Sequence, residues 1–370
     1  MTTPDSTAMP APRKRVAALD QFRGYIMAGM FLVNFIGNYA AVHIVFKHNN
    51  TFCSYADTIM PGFFFAVGYA FRLTWLARVR EGDPKAARRH AIHRNLKLML
   101  IGVLIYNAGN FPDIPKQIEI GLLLPFIINA ILCDSFQALV HIAVTSLWVL
   151  PVIGRGPRAR WGFLAFTTLL HIASLHFFYY RWAHGYSIDG GPLGFVGWAI
   201  PTVLGTLVCD AVRANPDPAA QFKRLGVWAV GFMLGGYAIS CLNLLDAPGG
   251  LGLIAPPFFP SSHPADMWTM DQQIASPSYM LFGGGLCIAT YLLFVLVSDV
   301  WGIQVGIFRT LGKNPLFGYV IHSVIAAVVA SLLLKGDSPL YLILIGFTIY
   351  FAIIWAILRF MEHKNWYWRL

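Results

Sequence analysis

The sequence predicts an all-α protein, a polytopic transmembrane helix bundle with about ten crossings drawn from eleven apolar segments. Three observations predict it. First, the 370 residues are 57% hydrophobic and only 12% charged, with a mean hydropathy of +0.60, whereas soluble domains carry roughly a quarter charged residues. Second, apolar runs recur along the chain near the roughly 20 residues a helix needs to span a hydrocarbon core. They are continuous, not alternating as in a membrane barrel. Third, Lys and Arg collect in the joints between the runs. The net charge of +10, which in a soluble chain would suggest nucleic acid, is thus largely explained by loops on the cytoplasmic face. The bilayer is an expected partner and nucleic acid is not.

The apolar segments lie near 19–45, 57–77, 96–108, 118–133, 136–153, 161–180, 193–212, 225–245, 279–300, 315–334 and 338–360. Basic residues gather at 13–15, 78–97, 155–160, around Lys223 and Arg224, at Arg309 and Lys313, and at the C-terminus, all assigned to the cytoplasmic side. Residues 1–17 lack a short apolar core with a small-residue cleavage site, so they read as a retained cytoplasmic tail, and 18–370 as one transmembrane domain. Topology read from the two ends collides between 118 and 153, where two apolar segments must together make one crossing, one of them short, re-entrant or interfacial. The loops at 44–56, 109–117 and 246–278 fall outside. The last is rich in Pro, Gly and aromatic residues and suits an irregular lid or vestibule. Asn49-Asn50-Thr51 fits a glycosylation acceptor, a pattern common by chance. The five cysteines are scattered without CxxC spacing and mostly inside apolar runs, so neither a disulfide framework nor a metal site is indicated.

Ionisable groups inside a bilayer are costly and invite a functional reading. Asp20 and Arg23 sit at i, i+3 near the cytoplasmic end of the first segment, where a self-neutralising pair is the plainer account. Farther along come Asn34, Asn38, His43 and His48, then Asp57 at the start of the second segment. Polar residues this dense point to a bundle interior or a water-filled cavity.

The stretches LDQFRG (19–24), FLVNF (31–35) and FKHNNTFCSYADTIMPGFFFAVG (46–68) strongly resemble the opening of heparan-α-glucosaminide N-acetyltransferase and its bacterial relatives. SIDGGPLGFVG (187–197), SPSYMLFGGGL (276–286), LGKNPLFGYVIHSV (311–324) and the terminal KNWYWRL (364–370) are similar to later parts of that family, in the same order. The resemblance implies a multi-pass membrane enzyme of a bacterial inner membrane, or of a lysosomal-type membrane in a eukaryote. It would take acetyl from cytoplasmic acetyl-coenzyme A and pass it to an amino sugar of glucosamine type or a glycan on the other side. The family's active-site histidine follows an aromatic-lysine pair and falls on His48, and its partner asparagine falls on Asn34. An insertion between the two keeps His43 in play. DIPKQIEIG (113–121) departs from the family in lacking an arginine and Pro-Gly, and the large luminal domain of the animal enzyme is missing.

The chemistry suits these residue types. An ammonium acceptor needs a base, or a nucleophile must carry the acetyl group, and imidazole can do either. A carboxamide such as Asn34 can donate to the thioester oxygen as it gains charge. Asp57 either orients His48 or caps the second helix. For the coenzyme phosphates the candidates are Arg23, Arg88, Arg89, Arg94, Lys97 and Asn314, although positive-inside topology alone explains the basic loop. For the acceptor they are Asp20, His322 and Tyr279. Core packing accounts equally well for His322 and Asn314. No metal is expected, and a homodimer is left open. Two other classes compete: a transporter of a small polar solute, which would need inverted repeats that are not visible, and an O-acyltransferase acting on a cell-surface glycan. If His48 and Asn34 serve one reaction centre, the first helix must end or unwind soon after Asn38, because a continuous helix would hold them about 21 Å apart.

Overall fold

The computed structural model describes residues 17–215, 217–245, 257–260 and 263–368. The basic cluster at 13–15 and part of the loop 246–278 lie outside the described residues. The described residues are 80% helical and contain no strand. Fourteen α-helices are formed among them: α1 Ala17–Ile36, α2 Tyr55–Glu81, α3 Pro84–Tyr106, α4 Ile114–Glu119, α5 Leu123–Asn129, α6 Ala138–Ile153, α7 Pro157–Ser174, α8 Tyr180–Tyr186, α9 Gly194–Ala214, α10 Pro218–Ser240, α11 Pro277–Phe294, α12 Gly306–Lys313, α13 Pro315–Leu333 and α14 Leu340–His363.

Local chemistry starts most of the long ones. Proline occupies the first helical position of α3, α7, α10, α11 and α13, where its missing N–H would have no partner anyway. Asp83, Asp217 and Ser276 cap α3, α10 and α11. The basic stretch 78–97 is therefore no loop. α2 runs to Glu81, and the Asp83-Pro84 signal restarts the chain as α3, so the cations project from two helix ends. The apolar stretch 19–45 is likewise not one helix. α1 stops at Ile36, the Gly37 amide closes the last turn on the Val33 carbonyl at 2.9 Å, and a short 3₁₀ turn, Ile44–Phe46, follows, with the His43 ring accepting from the Val45 amide.

By length and apolarity seven helical stretches can cross a membrane, or eight if one bent pair is a single span. That pair joins Leu123–Asp134 to Ala138–Ile153 at 74°. Neither arm reaches spanning length, so the pair is either one broken span or a re-entrant loop. α1 and α3 have 20 and 23 residues, but both carry charges toward their N-terminal ends.

α9 is the central helix: its apolar window is 83% buried, against 17% for α13 and 22% for α10 and α14, which turn apolar faces outward as lipid contact requires. α2 packs closely on α9 because both surfaces carry glycine. A Cβ on Gly68 would lie 1.9 Å from the Thr202 carbonyl oxygen, and one on Gly205 2.1 Å from that of Phe65. Phe64 stacks on the buried Trp198 one turn away, with ring centroids 4.6 Å apart. Where α2, α7 and α9 meet, Asp210 receives a bidentate pair of bonds from Arg72, at 2.9 and 3.0 Å, and a further bond from the fully buried Arg160.

Candidate active site

The segment 37–54 turns back over the end of α1, and its landing point is the start of α2. Ser54 and Asp57 form a capping box there: the Asp57 amide donates to Ser54 Oγ at 3.3 Å, and the Ser54 amide to Asp57 Oδ2 at 3.0 Å. Asp57 Oδ2 also accepts from the Asn49 amide at 3.3 Å, and Oδ1 meets His48 Nδ1 at 2.9 Å. The two roles considered for Asp57 are thus held together by one buried carboxylate, one oxygen for the cap and one for the histidine. Tyr279, on α11, donates its hydroxyl to the Asp57 carbonyl at 2.6 Å and is fully buried, so it braces this turn without facing a cavity.

With Nδ1–H given to Asp57, His48 presents Nε2 outward, and 51% of its side chain is open. It lines a cavity of about 390 Å³ at the end of the bundle that the positive-inside reading assigns to the outside, together with Asn34, Asn50, Gln137, Ser187, Asp189, Gln272 and Gln273. Burial lowers the pKa of His48, but the hydrogen bond and charge of Asp57, the charge of Asp189 and the nearby Gln272 carboxamide outweigh it, leaving a net upward shift from 6.5. His43, which caps the 3₁₀ turn, does not line this cavity.

Asn34 reaches the same cavity from α1, and a fixed partner sets its orientation. His322 Nδ1 hydrogen-bonds the Tyr319 carbonyl one turn earlier on α13, so it must carry the proton, and Nε2 must accept. The Asn34 atom 3.3 Å from that Nε2 is therefore the amide nitrogen, whose second N–H remains for a ligand. His322 acts here through Asn34 and is not among the cavity's lining residues.

A second cavity, of about 480 Å³, lies at the ends of α1, α2, α3 and α13 that the positive-inside reading assigns to the cytoplasm. Its charged walls are Arg23, Arg78, Arg94 and Lys313 against Asp20, with His90 and Trp368 beside them. Asp20 and Arg23 form the expected pair, at 3.8 Å. Asp20 thus lies with the cations rather than with His48, opposite to its expected place beside an acceptor. Of the other expected cations Arg94 lines the cavity, while Arg88, Arg89 and Lys97 are exposed on other faces of α3. Buried Asn314 binds the C-terminal tail instead, donating to the Trp366 carbonyl at 2.7 Å and accepting from the Trp368 amide at 3.0 Å.

The two cavities are back to back. Phe63, Ala138 and Tyr319 line both, and Arg23 and Asn34 lie on one continuous helix with about 16 Å between them along its axis.

Sequence reasoning missed Asp189, Gln272 and Gln273 outside, and Arg78, His90, Lys313 and Trp368 inside. Asp189 had one signal, an acid before Gly-Gly in an external joint. Gln272 and Gln273 come from the described part of the long external loop, where the Gln273 carbonyl receives the Gly190 amide at 2.8 Å and the Ser187 hydroxyl at 2.8 Å. That contact makes the loop a wall of the vestibule, as its composition suggested.

Residues 15–184 match the family described as heparan-alpha-glucosaminide N-acetyltransferase, catalytic. No curated protein matches the chain. The matched stretch contains Arg23, Asn34, His48, Asp57, Arg78 and Arg94, and it stops before Asp189, Gln272 and Lys313.

Proposed function

We propose that this chain, whose residues 15–184 match the heparan-alpha-glucosaminide N-acetyltransferase catalytic family, is a membrane acetyltransferase that moves acetyl from cytoplasmic acetyl-coenzyme A to an amino sugar outside. The observation that carries the reading is the pair of cavities with a shared wall: cations on the cytoplasmic side, a histidine with an oriented base position on the other, and one thin partition between. The phosphates stay beside Arg23, Arg78, Arg94 and Lys313, where charge and water are available, and only the thin, largely uncharged pantetheine arm reaches past Phe63, Ala138 and Tyr319.

In this reading the acceptor enters among the carboxamides of the external cavity, which suit a hydroxyl-rich ring. His48 Nε2 takes a proton from the attacking nitrogen and returns it to the departing sulfur, while Asp57 fixes the tautomer and steadies the imidazolium. Asn34 offers its free N–H to the carbonyl oxygen as the tetrahedral centre forms, and His322 keeps that N–H aimed.

The test is purified protein in lipid nanodiscs with radiolabelled acetyl-coenzyme A and glucosamine. N-acetylated product that disappears in His48→Ala, with the coenzyme still raising the melting temperature of that variant, supports the reading. No product from any amino sugar, or turnover undiminished in His48→Ala, overturns it.

A further inference from the structure

The external cavity holds a second acid–base group. Asp189 lies in the joint between α8 and α9, with φ of +56°, followed by Gly190 at +88° and Gly191 at +56°. Three successive left-handed residues are an uncommon backbone, and an aspartate tolerates this region better than most side chains, at a cost of about 1 kcal/mol. Neighbours hold it in place. Trp198 Nε1 donates to the Asp189 carbonyl at 2.7 Å, and the Gly190 amide is bonded to the Gln273 carbonyl. Gln272 Nε2 donates to Asp189 Oδ1 at 2.9 Å, and among the described residues no hydrogen bond is made to Oδ2. Gln272 Oε1 is buried without a partner, beside the cavity it lines with Asp189 and His48.

The reaction proposed above has a proton balance that one base does not meet. An amino sugar in neutral water is mostly R–NH₃⁺. Its nitrogen carries three protons, and the amide product carries one. As the C–N bond forms and the C–S bond breaks, the sulfur keeps the bonding pair and takes one proton, so the second must leave to water. His48 can carry the proton that goes to sulfur, but the ammonium must first lose another before it has a lone pair to attack with.

We propose that Asp189 binds the acceptor's ammonium through Oδ2 and takes its first proton, passing it to external water, so that this residue selects amines over hydroxyls. The inference rests on the amino-sugar reading of the site. Other titratable groups around Asp189 are His48 from the α1–α2 turn, Asp57 from α2, Tyr106 from α3, Tyr279 from α11 and Tyr319 from α13. None of these is a fixed positive charge, so an incoming ammonium meets a carboxylate with an open coordination side. Burial raises the Asp189 carboxyl above its usual range, although the Gln272 bond and a charged His48 pull it down, and a raised carboxylate is the better proton acceptor.

The variant to test is Asp189→Asn, because asparagine keeps the left-handed backbone and an acceptor for Gln272. It is assayed in nanodiscs beside the wild type with two acceptors: glucosamine, cationic at neutral pH, and hydroxylamine, which is uncharged there and needs no ammonium site. Expected is a fall of about 10–100-fold in kcat/KM for glucosamine, the size of a lost charge-assisted bond, with hydroxylamine and the acetyl-coenzyme A KM changed less than about 3-fold. The glucosamine deficit should shrink as pH rises and the free amine takes over. Equal losses with both acceptors, or a deficit that does not respond to pH, would assign Asp189 a purely structural role and overturn the proposal, as would no loss at all. A wild type that acetylates hydroxylamine but no amino sugar overturns the amino-sugar reading, and this inference with it.

Discussion

Replacing Asp57 by asparagine separates the structural use of this side chain from its use by His48. The carboxamide is isosteric, and its oxygen can face the Ser54 amide and hydroxyl at the positions now taken by Oδ2, 3.0 and 2.8 Å away. The cap survives, and the stability loss should stay below about 1 kcal/mol. The NH₂ then faces His48 Nδ1, 2.9 Å away, which can only accept from it. The imidazole proton moves to Nε2, the atom that has to receive a proton, and the base is disabled by its tautomer. Where a histidine base has been given the wrong tautomer in this way, turnover falls by about 10⁴-fold, and a drop of at least about 10³-fold is expected here. Asp57→Ala should be equally inactive but also unstable, losing about 2–4 kcal/mol as the Ser54 and Asn49 amides lose their acceptor. Acetyl transfer and coenzyme-induced thermal stabilisation, measured on one nanodisc preparation, check both halves. Asp57→Asn with turnover within a few-fold of the wild type would refute the reasoning, because it would mean that the tautomer of His48 does not matter.

Three further outcomes follow from single contacts. Asp271 is fully buried in the external loop, and burial lifts its carboxyl to about 7 despite bonds from the Gln273 and Ile274 amides. A raised acid keeps its proton in the folded state longer than in the unfolded one, so its neighbourhood favours folding below pH 3.8 and that advantage is lost as pH rises to about 7. Asp271→Asn should therefore raise the melting temperature at pH 8, by an effect of up to about 4 kcal/mol, with little change near pH 4; equal shifts at both pH values would contradict it. Arg94→Ala should raise the acetyl-coenzyme A KM about 10-fold, whereas Lys97→Ala on the exposed side of the same helix should leave it within about 2-fold, read from initial rates. Gly68→Ala should cost about 3 kcal/mol or more, because the new methyl meets backbone oxygen; Gly226→Ala, with open space around it, should melt as the wild type does.

What was legible in the sequence depended on neighbours along the chain. Asp20 and Arg23 are one helical turn apart, Ser54 and Asp57 are a cap at its usual spacing, and both pairs formed. His48 and Asn34 required one inference beyond this, that the helix breaks between them, and α1 ends at Ile36, two residues before Asn38. Residues whose partners are distant in sequence were not legible. Arg88, Arg89, Arg94 and Lys97 share one helix and one charge sign, and only the packing of α3 on α6 decides that Arg94 faces a cavity and the others face out. Asp189 and Gln272 meet across 83 residues, and Asn314 and Trp368 across 54. No local period announces such contacts, since each comes from where two loops or a tail land on a bundle assembled elsewhere. Asp20, expected beside an acceptor, lines the cation-bearing cavity for a related reason: its polarity was visible, but the cavity that its end of α1 lines is set by how the helices pack.

The partition between the cavities bears on why the proposed chemistry is split in this way. Tyr319 contributes to both walls, its carbonyl accepts a hydrogen bond from His322 Nδ1, and its hydroxyl lies 2.7 Å from that of Tyr106, which accepts in turn from the Leu139 amide beside Ala138. α3, α6 and α13 are therefore tied together at the depth where an acyl chain would pass, and the tie leads directly to Asn34. A partition of half-buried, mutually bonded groups resists an open aqueous pore, which would let protons and ions through. It does not resist a thin, largely uncharged arm that replaces side-chain contacts with its own. Moving the phosphates the same distance would put several charges into a region where even one costs several kcal/mol. In the proposed reaction the cost of charge in the membrane thus selects which part of the donor would cross, with the base on the far side of the partition, where the thioester would arrive.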